Sequence, residues 1–163
     1  MTGPRLAWIA ADDARMQDVH ALRHEVLFAP FGLPRDDSWD DAGADRLHLV
    51  AMHDARDGAE PGDESAAELV GYLSLLLEAE GMGHVRQVSV REDRQGAGIG
   101  RALMAEAEAE ARRRGLAAVW LHARITAEAF YHRLGYVTTS DGTFPSGRTG
   151  MPHVRMEKRL TAG

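Results

Sequence analysis

Between Gln95 and Arg101 the chain reads Gln-Gly-Ala-Gly-Ile-Gly-Arg, with glycine at 96, 98 and 100. The segment sits between an apolar run ending at Val90 and a helical pattern running to Arg114. A helix start leaves its first backbone N–H groups unpaired and carries partial positive charge, so an anion there is favoured by about 0.3–1 kcal/mol. Glycines let the backbone approach such a ligand closely. A dinucleotide fingerprint beginning at Gly96 would need glycine where Arg101 stands, and the Gly-Lys-Ser/Thr triplet of a P-loop is absent. Groups able to move a proton lie on either side of this turn: the phenol of Tyr131, the imidazoles of His84, His122 and His153, and the carboxyl of Glu25. His20 and His24 stand four apart, as a zinc pair would, but no third ligand follows, and a solvated or capping role is expected for both. Asp36, Asp37, Asp40, Asp41 and Asp45 lack the glycine and closing glutamate of a calcium loop. No metal is expected. The acidic stretch reads as a solvated loop, with an electrostatic lure for a cationic amine as the sharper alternative.

The elements that must position these groups can be read from periodicity. Met16, Val19, Leu22, Val26 and Leu27 repeat at three and four, predicting a helix over 14–28 that Asp12 or Asp13 would cap. Pro30 and Pro34 end it. Strands are expected over 46–53 and 69–77, joined by a polar loop over 54–65, and a hairpin through Glu80–Gly83 leads to a strand carrying Val85, Val88 and Val90. Ile99, Leu103, Ala107 and Ala111 define a helix over 98–114, stopped by Gly115. A strand over 117–123, a helix over 126–134, a strand over 135–139 and a last strand over 153–160 complete the pattern. The prediction is one α/β (α+β) domain spanning 1–163, a mixed sheet with helices on both faces.

Composition bounds the function. The chain has 163 residues, 44% of them hydrophobic, enough for a core without staples. The absence of cysteine removes thiol nucleophiles, disulfides and thiolate metal sites. A net charge of −6 argues against non-specific nucleic-acid binding. No apolar run is long enough to span a membrane, the first residues lack a signal-peptide layout, and the expected location is cytoplasmic. The acidity is local: Asp36–Asp45 holds five carboxylates and no base, whereas Arg91–Arg101 sets three arginines against Glu92 and Asp93. An anionic ligand at the glycine turn is therefore compatible with the overall charge.

The glycine turn resembles the acyl-CoA pyrophosphate loop of the Gcn5-related N-acetyltransferases, Gln/Arg-x-x-Gly-x-Gly/Ala, filled by Gln95, Gly98 and Gly100, with Arg94 and Gly96 also in keeping. Ala129–Tyr136 is similar to that family's late helix-to-strand segment. Arg23-His24-Glu25-Val26, the acidic loop followed by a His-Leu strand, and Gly150-Met151-Pro152-His153 resemble the ElaA-type group within it, so that the likeness spans about residues 18–157. One departure is Arg124, where that group tends to carry Gln.

The resemblance implies a fourth strand splayed from the fifth, with Val88, Ser89 and Val90 bonding the pantetheine arm of acetyl-CoA. Arg94, Gln95, Gly96, Ala97, Gly98, Ile99, Gly100 and Arg101 would hold its pyrophosphate, and the Val88 amide would donate to the developing oxyanion. Tyr131 would face the thioester sulfur as general acid, since a phenol is protonated at neutral pH. The base is sought first at His153 and next at His122, with His84, Glu25 or a water chain as alternatives. The implied activity is acetyl transfer from acetyl-CoA, as cosubstrate, to a primary amine of a small molecule or protein, by direct attack in a ternary complex. A non-catalytic acyl-CoA binding or sensing domain of the same fold, and a phosphate-loop interaction domain unrelated to CoA, are the competing readings. Nucleic acid and membrane are not expected partners, and assembly as a homodimer is left open.

Overall fold

The computed structural model describes residues 3–36, 43–54 and 67–161. Their elements, in chain order, are β1 (Arg5–Ile9), α1 (Met16–Arg23), β2 (Arg46–Asp54), β3 (Ala67–Glu78), β4 (Met82–Val90), α2 (Ile99–Arg113), β5 (Ala118–Arg124), α3 (Glu128–Arg133), β6 (Val137–Thr138), β7 (Phe144–Ser146) and β8 (Met151–Arg159). The eight strands form one mixed sheet in the order β1-β2-β3-β4-β5-β8-β6, with β7 also paired to β8. Among the described residues every neighbouring pair is antiparallel except β4 and β5. This is the mixed sheet with helices expected from the alternation of runs.

Burial follows the helical stripes. Ile99, Leu103, Ala107 and Ala111 of α2 are buried in the main core with Leu73 and Leu75 of β3 and Val119 and Leu121 of β5. Met16, Val19 and Leu22 of α1 join Val50 of β2 and Tyr72 of β3 in a second cluster. At roughly 1.5–3 kcal/mol for each large apolar side chain removed from water, these stripes outweigh the weak propensities of single residues.

Several boundaries differ from the sequence expectation for physical reasons. The first helix is α-helical only to Arg23, and the turn widens to a π-helix over His24–Phe28 before a 3-10 turn at Ala29–Phe31. Asp13 does not cap α1 at its first residue. Its carboxylate accepts instead from the Arg15 amide at 2.8 Å and from the Arg15 side chain. Strands β1 and β7, of five and three residues, went unpredicted because pairing with β2 and β8, rather than any local pattern, makes them strands. The strand expected over 135–139 shrinks to Val137–Thr138. Asp54, expected in the loop over 54–65, is the last residue of β2, and the rest of that loop and most of the acidic stretch, Asp37, Asp40 and Asp41 included, lie outside the described residues.

Candidate active site

The sheet opens at the parallel junction of β4 and β5. β4 and β5 pair only from Met82 to His84 against Ala118 to Trp120, and the two strands run on for six and four further residues without partnering each other. A bulge in β4 accompanies the parting: the β3–β4 register shifts between Tyr72, opposite Ser89, and Ser74, opposite Arg86. Gln87, within the shift, holds a left-handed φ of 57°. Such a conformation costs a non-glycine residue about 1–2 kcal/mol and needs support. Arg23, buried at the end of α1, supplies it through Nη1, which donates to Oε1 of Gln87 at 2.8 Å. Its Nη2 lies 2.5 Å from Nδ1 of His20, and its guanidinium stacks over Tyr72 at 5.5 Å. The His20 ring is thus engaged with Arg23, and among the described residues no group of three side chains could hold a metal ion.

Alternation fixes which β4 amides face the gap. The Arg91 amide donates to the Val70 carbonyl on the β3 side, so Ser89 faces β3 as well, while Val90 and Val88 turn their N–H and C=O groups toward β5. The Val90 carbonyl on that side accepts from Nε2 of Gln95 at 3.1 Å, which ties the glycine turn to the strand end. Ser89 is buried, with Oγ donating to the Gln87 carbonyl at 3.0 Å.

Beyond Gln95 the chain needs left-handed backbone twice, at Gly96 (φ 83°) and at Gly98 (φ 86°), the residue that begins α2. Among the described residues no side chain caps the helix, and its first amides, Ile99, Gly100 and Arg101, have no intrahelical acceptor. Gly100 packs beside Phe130 of α3, whose ring atom a methyl group there would meet at 3.4 Å. Arg101 is exposed and Arg94 partly so.

The parted strands frame a cleft of about 580 Å³. Val88, Tyr131, His84, His122 and His153 all line it, so sequence-distant candidates converge on one space. Arg94 and the glycine turn lie outside this cleft, beyond the Val90 end of β4. Glu25 is exposed and belongs to a separate depression with Arg91, Glu92 and Asp93, away from the imidazoles.

Each proton-bearing group has a distinct environment. Tyr131 is 7% exposed, with Phe130 and Tyr136 edge-on at 5.0 and 5.9 Å, and burial pushes its phenol up to about 12. His153 has Nδ1 2.7 Å from the Met151 carbonyl, a contact that requires Nδ1–H and leaves Nε2 of the neutral ring as an acceptor. His122 is held below the ordinary imidazole value by burial, with smaller electrostatic contributions from the neighbouring His153, Arg155 and Arg86. His84 is driven down to about 3, chiefly by burial and next by Arg86; it stacks on Trp120 at 3.7 Å and is neutral across the working range. Trp120 is fixed in turn by Nε1 donating to Glu78 at 2.6 Å and by the Arg155 guanidinium, which lies over its ring at 4.6 Å from the centre.

Sequence reasoning missed the bulge support by Arg23 and the basic lining formed by Arg86, Arg124 and Arg148. Only Arg124 carried a signal, as a departure from a similar group. The others depend on contacts between segments far apart in the chain.

Comparison with known proteins places this geometry in context. The acetyltransferase (GNAT) domain pattern matches residues 61–160. An uncharacterized N-acetyltransferase of Bacillus subtilis, YjcF, is 26% identical over 152 residues, 93% of this chain and 98% of that protein. An acyl-CoA N-acyltransferase from Pseudomonas aeruginosa superposes with a TM-score of 0.72 at 28% identity, covering 95% of this chain and 99% of the other. Escherichia coli ElaA also superposes with a TM-score of 0.72, over 95% and 99% of the two chains, but at 19% identity that likeness concerns the fold alone. Among the described residues no helix is long and apolar enough to cross a membrane.

Proposed function

The chain belongs to the acetyltransferase (GNAT) domain family, and from that membership we propose that it moves the acetyl group of acetyl-CoA to a primary amine by direct attack in a ternary complex. The observation that carries this reading is the parting of β4 and β5 after His84 and Trp120, which leaves the end of β4 unpaired with β5 and sets Val88 on a cleft that Tyr131 also lines.

Acetyl-CoA fits the residues present. Gly96 and Gly98 have open space where a Cβ would stand, and the uncapped start of α2 offers amides to a pyrophosphate, with Arg94 and Arg101 adding charge. When bound, it supplies the acetyl group as an activated thioester. The Val88 amide donates to the acetyl oxygen as negative charge develops there, a contribution worth about 2.7–4 kcal/mol where such donors have been removed. Tyr131 holds a proton on Oη for the departing sulfur. Nε2 of His153 takes the proton of the attacking amine, since its Nδ1 is committed to Met151. His122, one neighbour away in the same cleft, is the second base.

Within the family we assign the chain to the ElaA-type group on Arg23-His24-Glu25-Val26 and Gly150-Met151-Pro152-His153, with Arg124 as its difference. The test is a thermal melt with acetyl-CoA followed by thiol release across an amine panel. A raised Tm with thiol release supports the enzyme. A raised Tm without release on any amine would instead make the chain an acyl-CoA binding or sensing domain, and no shift at all would remove the CoA reading.

A further inference from the structure

The charge of the cleft runs opposite to that of the chain. Its charged lining consists of Arg86, Arg124 and Arg148 beside three imidazoles, and no aspartate or glutamate lines it among the described residues. Asp36, the described member of the acidic stretch nearest this wall, is ion-paired with Arg148.

Arg124 differs from Arg148, Arg155 and Arg91 in what it meets. Arg148 pairs with Asp36, Arg155 with Glu157, and Arg91 with Asp93 and Glu68. Arg124 has no carboxylate among the described residues. Its Nη2 reaches the Leu27 carbonyl only at 3.5 Å, at the limit of a hydrogen bond, and its guanidinium lies over Phe31 at 5.0 Å from the ring centre. Half-buried and losing hydration without a compensating anion, it is held below the usual guanidinium value by burial alone. A planar fork of donors in such a place suits a carboxylate bound from outside.

The register sets what that carboxylate is attached to. Arg124 stands directly opposite His153 in the β5–β8 ladder, and both side chains line the cleft. Cross-strand neighbours have Cβ atoms about 4.5–5.5 Å apart, the span of an amine and a carboxylate a few bonds from one another.

We propose that the acceptor is a small amine carrying a carboxylate in its own skeleton, an amino acid or close relative, and that Arg124 is the specificity-determining residue that grips the carboxylate while the amine faces His153. This rests on the acetyltransferase reading above and names its substrate class. It is the reverse of a cationic acceptor drawn by the acidic stretch.

The experiment measures thiol release from acetyl-CoA with free amino acids, each paired with its carboxamide and compared at equal concentrations of unprotonated amine, with a polyamine as the cationic arm. Wild-type protein should prefer the acid over the amide by at least about tenfold in kcat/KM, the scale of a charge-assisted hydrogen-bond pair. Arg124→Gln should bring that ratio toward one, and Arg124→Lys should restore part of it; a ratio within one protein does not depend on how much of a variant is folded. Equal use of acid and amide by the wild type, a preference for the polyamine, or an unchanged ratio in Arg124→Gln would each overturn the proposal while leaving acetyl transfer intact. Absence of both an acetyl-CoA melting shift and thiol release would defeat the acetyltransferase reading itself, and the acceptor class with it.

Discussion

Arg23 and Gln87, 64 residues apart, are joined by a 2.8 Å hydrogen bond from a buried guanidinium to the side chain of the residue that carries the left-handed turn of β4. The bond links α1 to the bulge beside the parting of β4 and β5, so a helix that contributes no reacting group still shapes the cleft. Loss of that support should be felt as stability first and as geometry second.

Arg23→Met should destabilise the fold by about 2–3 kcal/mol, because a charge-assisted bond is lost and Gln87 and His20 lose a buried partner. Urea denaturation measures it. Turnover of the folded variant should fall more than its affinity for acetyl-CoA, since the Val88 amide follows the bulged residue directly. An unchanged urea midpoint would show that the clamp contributes nothing.

Tyr131→Phe should lower turnover by about tenfold or more with little change in the acetyl-CoA melting shift. Burial holds the phenol up to about 12, so its proton is present throughout the neutral range and is given up only as pH rises toward that value. The wild type should therefore show no loss of activity from Tyr131 ionisation between pH 7 and 10. Full activity in the phenylalanine variant would remove the acid role.

His153→Ala should cost about a hundredfold in kcat/KM, whereas His122→Ala should cost much less. The difference follows from the Nδ1 contact with Met151, which presents Nε2 of His153 as the acceptor. Little loss of rate in either variant would point to a water chain.

His84 gives the fold a sensitivity to acid. Its folded-state value of about 3 lies below the ordinary imidazole value of 6.5, so the unfolded chain binds the extra proton first as pH falls. The associated stability is complete above about pH 6.5 and is lost progressively toward pH 3. His84→Phe keeps an aromatic ring against Trp120 but has nothing to protonate, so its urea midpoint should drop less than that of the wild type between pH 7 and 4.5. Parallel losses in both proteins would exclude His84 as the source.

Much of the architecture was legible before any coordinates. The stripe Ile99, Leu103, Ala107, Ala111 is buried as its spacing requires, because a helix that exposed it would forfeit several kcal/mol of apolar burial. Gly98 at the start of α2 and Gly115 after its end both have positive φ, the backbone reason for glycine at each end. The π turn after Arg23 was not legible, since the apolar repeat through Val26 and Leu27 looks alike in both helix types at this length. Strands β1 and β7 were also hidden. Five or three residues carry too little pattern to be recognised without the neighbour that pairs with them.

The longer helices and strands, the resemblance to the family and the residue types available for chemistry could be read along the chain, because periodicity, glycine positions and short motifs act over neighbouring residues. That Tyr131, Val88 and three histidines share one cleft, and that Glu25 does not, depends on contacts between segments far apart in the chain. So does the sign of the cleft. The acidic residues that dominate the composition do not line it among the described residues, whereas Arg86, Arg124 and Arg148, drawn from three separate segments, do. Net charge is a sum over the chain, but the field that a substrate meets depends on which side chains the strands bring within a few ångströms of it.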